Sequence, residues 1–187
     1  VQGTRPVVGA LAFLTVGITL KAALFPLHQW LPNAYTFAPS AVSAFLAATA
    51  TKVAVYVLLR FYYSVFEHSQ VFARLPMGEV LLALALAAMF VASTVAILQT
   101  DLKRLFAYSS IGQIGYITLG VSFDSVPGLT AAIVHLFNHG VTKGAVFMLL
   151  GAVALVMGGT SLARVRGLAR RMPLTSAGIV ICGLSLI

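Results

Sequence analysis

The chain has 187 residues, 60% of them hydrophobic and only 9% charged, and its mean hydropathy is +1.00. A globular domain is roughly 45–50% apolar and about 25% charged, so this sequence cannot cover a soluble surface and lacks the polarity of a disordered chain. The net charge of +8 does not indicate a nucleic-acid partner, because the basic residues are scattered between long apolar runs, the pattern that orients helices in a bilayer. The single cysteine, Cys182, excludes an internal disulfide framework. The expected class is an all-α, polytopic transmembrane bundle whose first partner is lipid.

Five full apolar segments are expected, at approximately 7–27, 41–66, 80–98, 105–123 and 128–158, with a truncated sixth at 174–187. Helix is the default, since backbone groups in lipid must be satisfied within the segment. The six runs form one transmembrane domain, 1–187. The last is too short for a crossing of about 20 residues, and the chain starts at Val1, so a fragment of a longer protein is expected. Pro26, Pro32 and Pro39 should end or kink the first helix near Pro26 and leave 28–39 as a connection. The fifth helix is long for one crossing, so it must tilt, protrude or break at Gly140, Gly144 or Gly151.

Alternating crossings put 28–39, 99–104 and 159–173 on one side. That side collects Lys103, Arg104, Arg164, Arg166, Arg170 and Arg171; the other has Arg5 and Arg74, with Arg60 near a helix end. The excess predicts a cytoplasmic location for the first set.

Lys21, Lys52 and Lys143 lie inside apolar segments. A lysine at the bilayer centre costs about 2.5–3.5 kcal/mol, so each needs a reason. Snorkelling of the long stem accounts for Lys21 as readily as function does. Lys52 and Lys143 lie deeper, which weighs towards a buried functional role over snorkelling. On the fifth helix His135, Asn138, His139, Thr142 and Lys143 share a stripe of roughly 140° at helical spacing. It opposes Val134, Phe137, Val141 and Ala145. Histidine titrates near neutral pH, and desolvation disfavours a charged lysine. Titratable groups at helical spacing are what a proton relay requires. Metal or haem ligation by His135 and His139, or plain packing, are the alternatives. The fourth segment, Tyr108-Ser-Ser-Ile-Gly-Gln-Ile-Gly-Tyr116, is polar with small residues; it could hold water or simply allow close packing. No phosphate loop, cysteine cluster, nucleophile elbow or dinucleotide fingerprint is present in the sequence. No cofactor and no catalytic chemistry are therefore expected.

Lys21-Ala-Ala-Leu-Phe-Pro-Leu-His28-Gln-Trp30-Leu-Pro32-Asn-Ala resembles the lysine-bearing broken-helix motif of the proton-conducting antiporter family. Ala38-Pro39-Ser40-Ala-Val-Ser43 with Thr51-Lys52-Val-Ala-Val-Tyr56, Asp101-Leu-Lys-Arg-Leu-Phe-Ala-Tyr108 running on to Tyr116, and His135-Leu-Phe-Asn-His139-Gly-Val-Thr-Lys143 are similar to later motifs, in family order. That family includes the subunits of Mrp-type sodium/proton antiporters and the large antiporter-like subunits of complex I and related hydrogenases. The resemblance implies two inverted repeats with discontinuous helices. Lys21 would stand beside a helix break, Lys52 would carry the proton along a central axis, and His135, His139 and Lys143 would form a second half-channel. It also implies other integral membrane subunits as partners, protons and Na+ as the transported ions, and a bacterial or archaeal plasma membrane. The local sequence leans towards a sodium/proton antiporter complex over a redox-driven one. A structural subunit that moves no ions is the rival from another class.

Overall fold

The computed structural model describes residues 5–66 and 76–186. The described residues are helical, with no strand beyond a single bridge between Asp101 and Ser161. The helices are α1 (Arg5–Ala22), α2 (Trp30–Phe37), α3 (Ser40–Arg60), α4 (Met77–Ile97), α5 (Leu102–Ser122), α6 (Val126–Met157), a single turn α7 (Leu168–Arg171) and α8 (Pro173–Leu184). A π-helical turn, Phe61–Phe66, prolongs α3. By length and composition three of these can cross a membrane: Ser40–Phe66, Met77–Ile97 and Val126–Met157.

The first helix ends earlier than its prolines imply. Ala23 adopts a left-handed conformation (φ 55°). The amides of Ala23 and Leu24 fold back onto Leu20 O (3.1 Å) and Thr19 O (3.0 Å), a reciprocal closure that terminates a helix. The Trp30 indole then donates to Leu20 O at 2.9 Å, so the chain that follows helps to satisfy the exposed carbonyls. The expectation of an open connection over 28–39 is corrected here. Most of it is α2, whose Leu31 and Tyr35 are fully buried because α2 lies against α3 and α5. Proline at the third position of α2 costs little, since the first-turn amides have no helical partner anyway.

Local signals start the later helices. Asp101 accepts from Lys103 N (2.9 Å) and Arg104 N (3.2 Å), which begins α5 three residues before the apolar run. Ser125 accepts from Gly128 N at 3.3 Å and opens α6, with a proline in its first turn. Of the three outcomes considered for the fifth segment, a break does not occur: α6 is continuous for 32 residues, roughly 48 Å, and ends at Gly158.

α6 is the hub. It packs against α3, α5 and α8, while α1 lies on α3 and α4 lies on α5. The α4 face towards α5 is Leu81, Ala85, Ala88, Ala92 and Ala96, all buried, while Phe90 and Ile97 point outward. Small residues let helices approach in lipid, where packing replaces the hydrophobic effect.

Alternate connections gather at one end, as alternating crossings require. Leu102 N donates to Thr160 O, Leu162 N to Thr100 O (2.9 Å each), and Thr160 Oγ1 to Asp101 Oδ2 (2.8 Å), which ties 99–104 to 159–173. Lys103 Nζ donates to Ser40 Oγ (3.3 Å), bringing the start of α3 to the same end. Lys103 is thus not a free loop charge; it lies in the first turn of α5 and is only 7% exposed. At the opposite end Tyr63 Oη donates to Asp124 Oδ1 at 3.2 Å. Arg74, counted for that side, lies outside the described residues.

Candidate functional site

α5 and α6 form an antiparallel hairpin around the three residues 123–125. A turn this short sets the register, because residues equally far from Asp124 must face each other. Gly120 meets Gly128: a Cβ on Gly128 would stand 2.6 Å from Gly120 O. By the same rule Gln113 meets His135, and the segment around Phe106 and Ser109 meets Lys143.

Lys143 is fully buried, and its ammonium donates to Phe106 O (3.0 Å) and Ser109 Oγ (2.9 Å). It also lies 5.2 Å from the centre of the Phe106 ring, close enough for a favourable cation–π contact. These contacts replace part of the hydration that an interior lysine loses.

One helical turn away, His139 is 0% exposed, and neither ring nitrogen has a hydrogen-bond partner among the described residues. Lys143 stands one turn further along α6, and Lys52 packs against Gly140, the residue next to His139, from α3. Lys52 comes from α3, is 8% exposed and donates to Ala47 O. It reaches α6 where Gly140 removes the side chain from the interface: a Cβ there would lie 3.2 Å from Ala48 O. Beside Lys52 a groove of about 720 Å³ runs between α3 and α6, lined by Tyr56, Gly140 and Gly144 among others.

His135 is half-buried, and its Nε2 lies 2.6 Å from Gln113 Oε1. Its ring is parallel to that of His139, centroids 6.2 Å apart, and meets Tyr116 edge-on at 6.3 Å. A cleft of about 350 Å³ lies against His135, Gln113, Tyr116 and Leu186.

Of the five residues singled out from sequence, His135, His139, Lys143 and Lys52 therefore come together where α3, α5 and α6 meet. Lys21 does not join them. It is exposed in the last turn of α1, beside the break at Ala23. The expected stripe on α6 also splits. His139 and Lys143 are inside, Thr142 Oγ1 turns to Ser185 Oγ (3.5 Å), and Asn138 is exposed. A stripe 140° wide exceeds the interface between α6 and α5. Val134, Phe137 and Val141, on the apolar face, are 55%, 72% and 60% exposed, as a lipid-facing side requires. Ser109, Gln113 and the Phe106 carbonyl complete the site. Sequence reasoning noted the polarity of α5 but did not pair it with α6, although the short turn contains that register.

Residues 4–187 match the family described as NADH:quinone oxidoreductase/Mrp antiporter, transmembrane. The chain belongs to that family. It is 41% identical to NADH-quinone oxidoreductase subunit N of Desulforudis audaxviator, over 97% of this chain and 36% of the relative. It is 33% identical to a Na(+)/H(+) antiporter subunit of Alkalihalophilus pseudofirmus, over 88% of this chain and 32% of the relative. Among solved structures, the Mrp complex from Dietzia superposes with a TM-score of 0.88 at 31% identity, covering 98% of this chain and 34% of the other. The membrane-bound sulfane sulfur reductase, an archaeal respiratory membrane complex, gives 0.83 at 36% identity, covering 90% and 34%. The chain spans about a third of the length of these relatives. It is an antiporter-like, membrane-embedded segment of the kind found in multisubunit respiratory and antiporter complexes.

Proposed function

We propose that this chain carries part of the proton pathway of an ion-translocating membrane complex. The observation that supports it is the burial of Lys52, His139 and Lys143 together, with both nitrogens of His139 unpartnered among the described residues. Imidazole is the side chain best suited to passing protons near neutral pH, and this one has Lys143 one turn along its own helix and Lys52 packed against the neighbouring Gly140 to supply or receive them. Lys143 is held by two acceptors, Phe106 O and Ser109 Oγ, so it can lose its proton without a large rearrangement. Lys52 extends the path towards α1, and Lys21 flanks the helix break at its edge. His135 borders the cleft and is the exchange point with water. The basic end, containing 99–104, 159–173 and the start of α3, faces the cytoplasm.

For the energy source we favour a redox-driven complex of the NADH:quinone oxidoreductase type. The 41% identity to a subunit N, against 33% to the Na(+)/H(+) antiporter relative, supports it and reverses the lean of the local sequence. The second reading is sodium/proton exchange, supported by the superposition on the Mrp complex over 98% of the chain. The full parent complex in sealed vesicles separates them. Proton uptake started by NADH and quinone, and absent under a sodium gradient alone, is the expected result. Uptake driven by sodium without an electron donor selects the second. Normal transport after Lys52→Ala or Lys143→Ala, at equal membrane abundance, refutes the pathway.

A further inference from the structure

Gln113 is 9% exposed and spans two groups: its Nε2 donates to Leu186 O at 2.9 Å, just beyond α8, and its Oε1 lies 2.6 Å from His135 Nε2. A backbone carbonyl can only accept a hydrogen bond, so the amide must present its NH2 to Leu186 and its oxygen to the imidazole. The reversed amide would press one carbonyl oxygen against another at Leu186. An amide oxygen carries no proton, so His135 must be the donor at Nε2. A neutral imidazole has one N–H; here it is placed on Nε2, and Nδ1 keeps the lone pair.

We propose that Gln113 is a positioning residue that sets the tautomer of His135, so that this histidine takes up and returns its proton at Nδ1 alone. A proton arriving at Nδ1 gives the imidazolium with N–H at both positions, and the same proton leaves from Nδ1. The Nε2 proton stays, because an amide oxygen is far too weak a base to take it. His135 is then a reversible charge beside the cleft, and its ring is not a through-wire. The reading rests on the proposed proton pathway for its purpose but not for its geometry. The titratable groups that face it are His139, one turn on along α6, and Tyr116 from α5; from beyond α8 comes only the Leu186 carbonyl.

The test is ring-nitrogen NMR of the full-length subunit in lipid, with ¹⁵N-labelled histidine, at about pH 9, above the ordinary histidine range. The His135→Gln variant identifies the signals by their loss. The expected spectrum has Nε2 protonated and Nδ1 bare, and Gln113→Met, which fills the same space without an acceptor, converts it to a mixture of the two tautomers. A proton on Nδ1 in the unaltered protein overturns the proposal, as does a spectrum unchanged by Gln113→Met. If Gln113→Met does not assemble, Gln113→Ala makes the same comparison without the bulk, and a tautomer unchanged by it overturns the proposal. Because the tautomer is read without any transport, it stands or fails separately from the pathway. In vesicles Gln113→Met should also displace the pH profile of proton uptake, which loss of packing alone would lower without displacing.

Discussion

Two lysines in this molecule carry the same sequence signature, a charge inside an apolar run, and meet different surroundings. Lys143 is closed in by the α5/α6 hairpin, with a carbonyl, a hydroxyl and an aromatic face within reach of its ammonium. Lys21 sits in the last turn before a helix break and is exposed. The difference lies in how each region is held. A hairpin with a three-residue turn leaves one register, so every polar residue on one arm of it has an assigned neighbour. A broken helix satisfies its own backbone ends, through Ala23, Leu24 and Trp30, and assigns no neighbour to the side chain beside the break.

The comparison is broken most directly by neutralising each lysine. Lys143→Met should abolish proton uptake in vesicles, a loss on the order of 100-fold, and Lys143→Arg should not restore it, because guanidinium does not release a proton. Lys21→Met should give a similar loss if both lysines belong to one path. Retained uptake in Lys21→Met beside loss in Lys143→Met would confine the pathway to the closed region.

Gly128→Ala tests the hairpin itself. The added carbon would lie 2.6 Å from the Gly120 carbonyl oxygen, and neither backbone can yield cheaply. A destabilisation of about 1–3 kcal/mol is expected, read as a lower midpoint in detergent unfolding, with the His135–Gln113 contact loosened as a consequence. An unchanged midpoint would show that the turn does not hold the register.

Asp101→Ala removes the α5 cap and the tie to Thr160 together. The loss should be about 1–2 kcal/mol, seen as faster amide exchange at 102–105 and 160–162. Ala23→Gly should do the reverse at the break. It relieves a left-handed alanine and should stabilise by about 1 kcal/mol, the smallest effect, measurable by the same unfolding assay. Orientation can be read from a cysteine at Ala169, an exposed residue of the basic end, labelled by an impermeant reagent only from the cytoplasmic side.

The broken helix was harder to read than the hairpin's polar residues. Pro26 and Pro32 draw attention as breakers, yet the chain turns at an alanine, which carries no turn signal, and Pro32 lies inside α2. What ends α1 is the pair of returning amides and the Trp30 indole, contacts between residues up to 10 apart. By contrast, Asp101 and Ser125 mark their helix starts by residue type and lie one residue before the helices they cap.

Composition and spacing alone determined that the chain is a helical membrane bundle and where its long helices lie, and they named the candidate titratable residues, because the cost of burying charge in lipid leaves few reasons for a lysine to be there. The ordered motifs carried the family. Tertiary structure decided which of those residues share a site. Lys52 comes up against α6 beside His139 only because Gly140 lets α3 approach, and Ser109 and Gln113 meet Lys143 and His135 only once α5 folds back on α6. Periodicity gives the direction of a side chain from its own helix. It holds nothing about which helix stands opposite, and that contact is what divides the polar stripe of α6 into His139 and Lys143 inside and Asn138 outside.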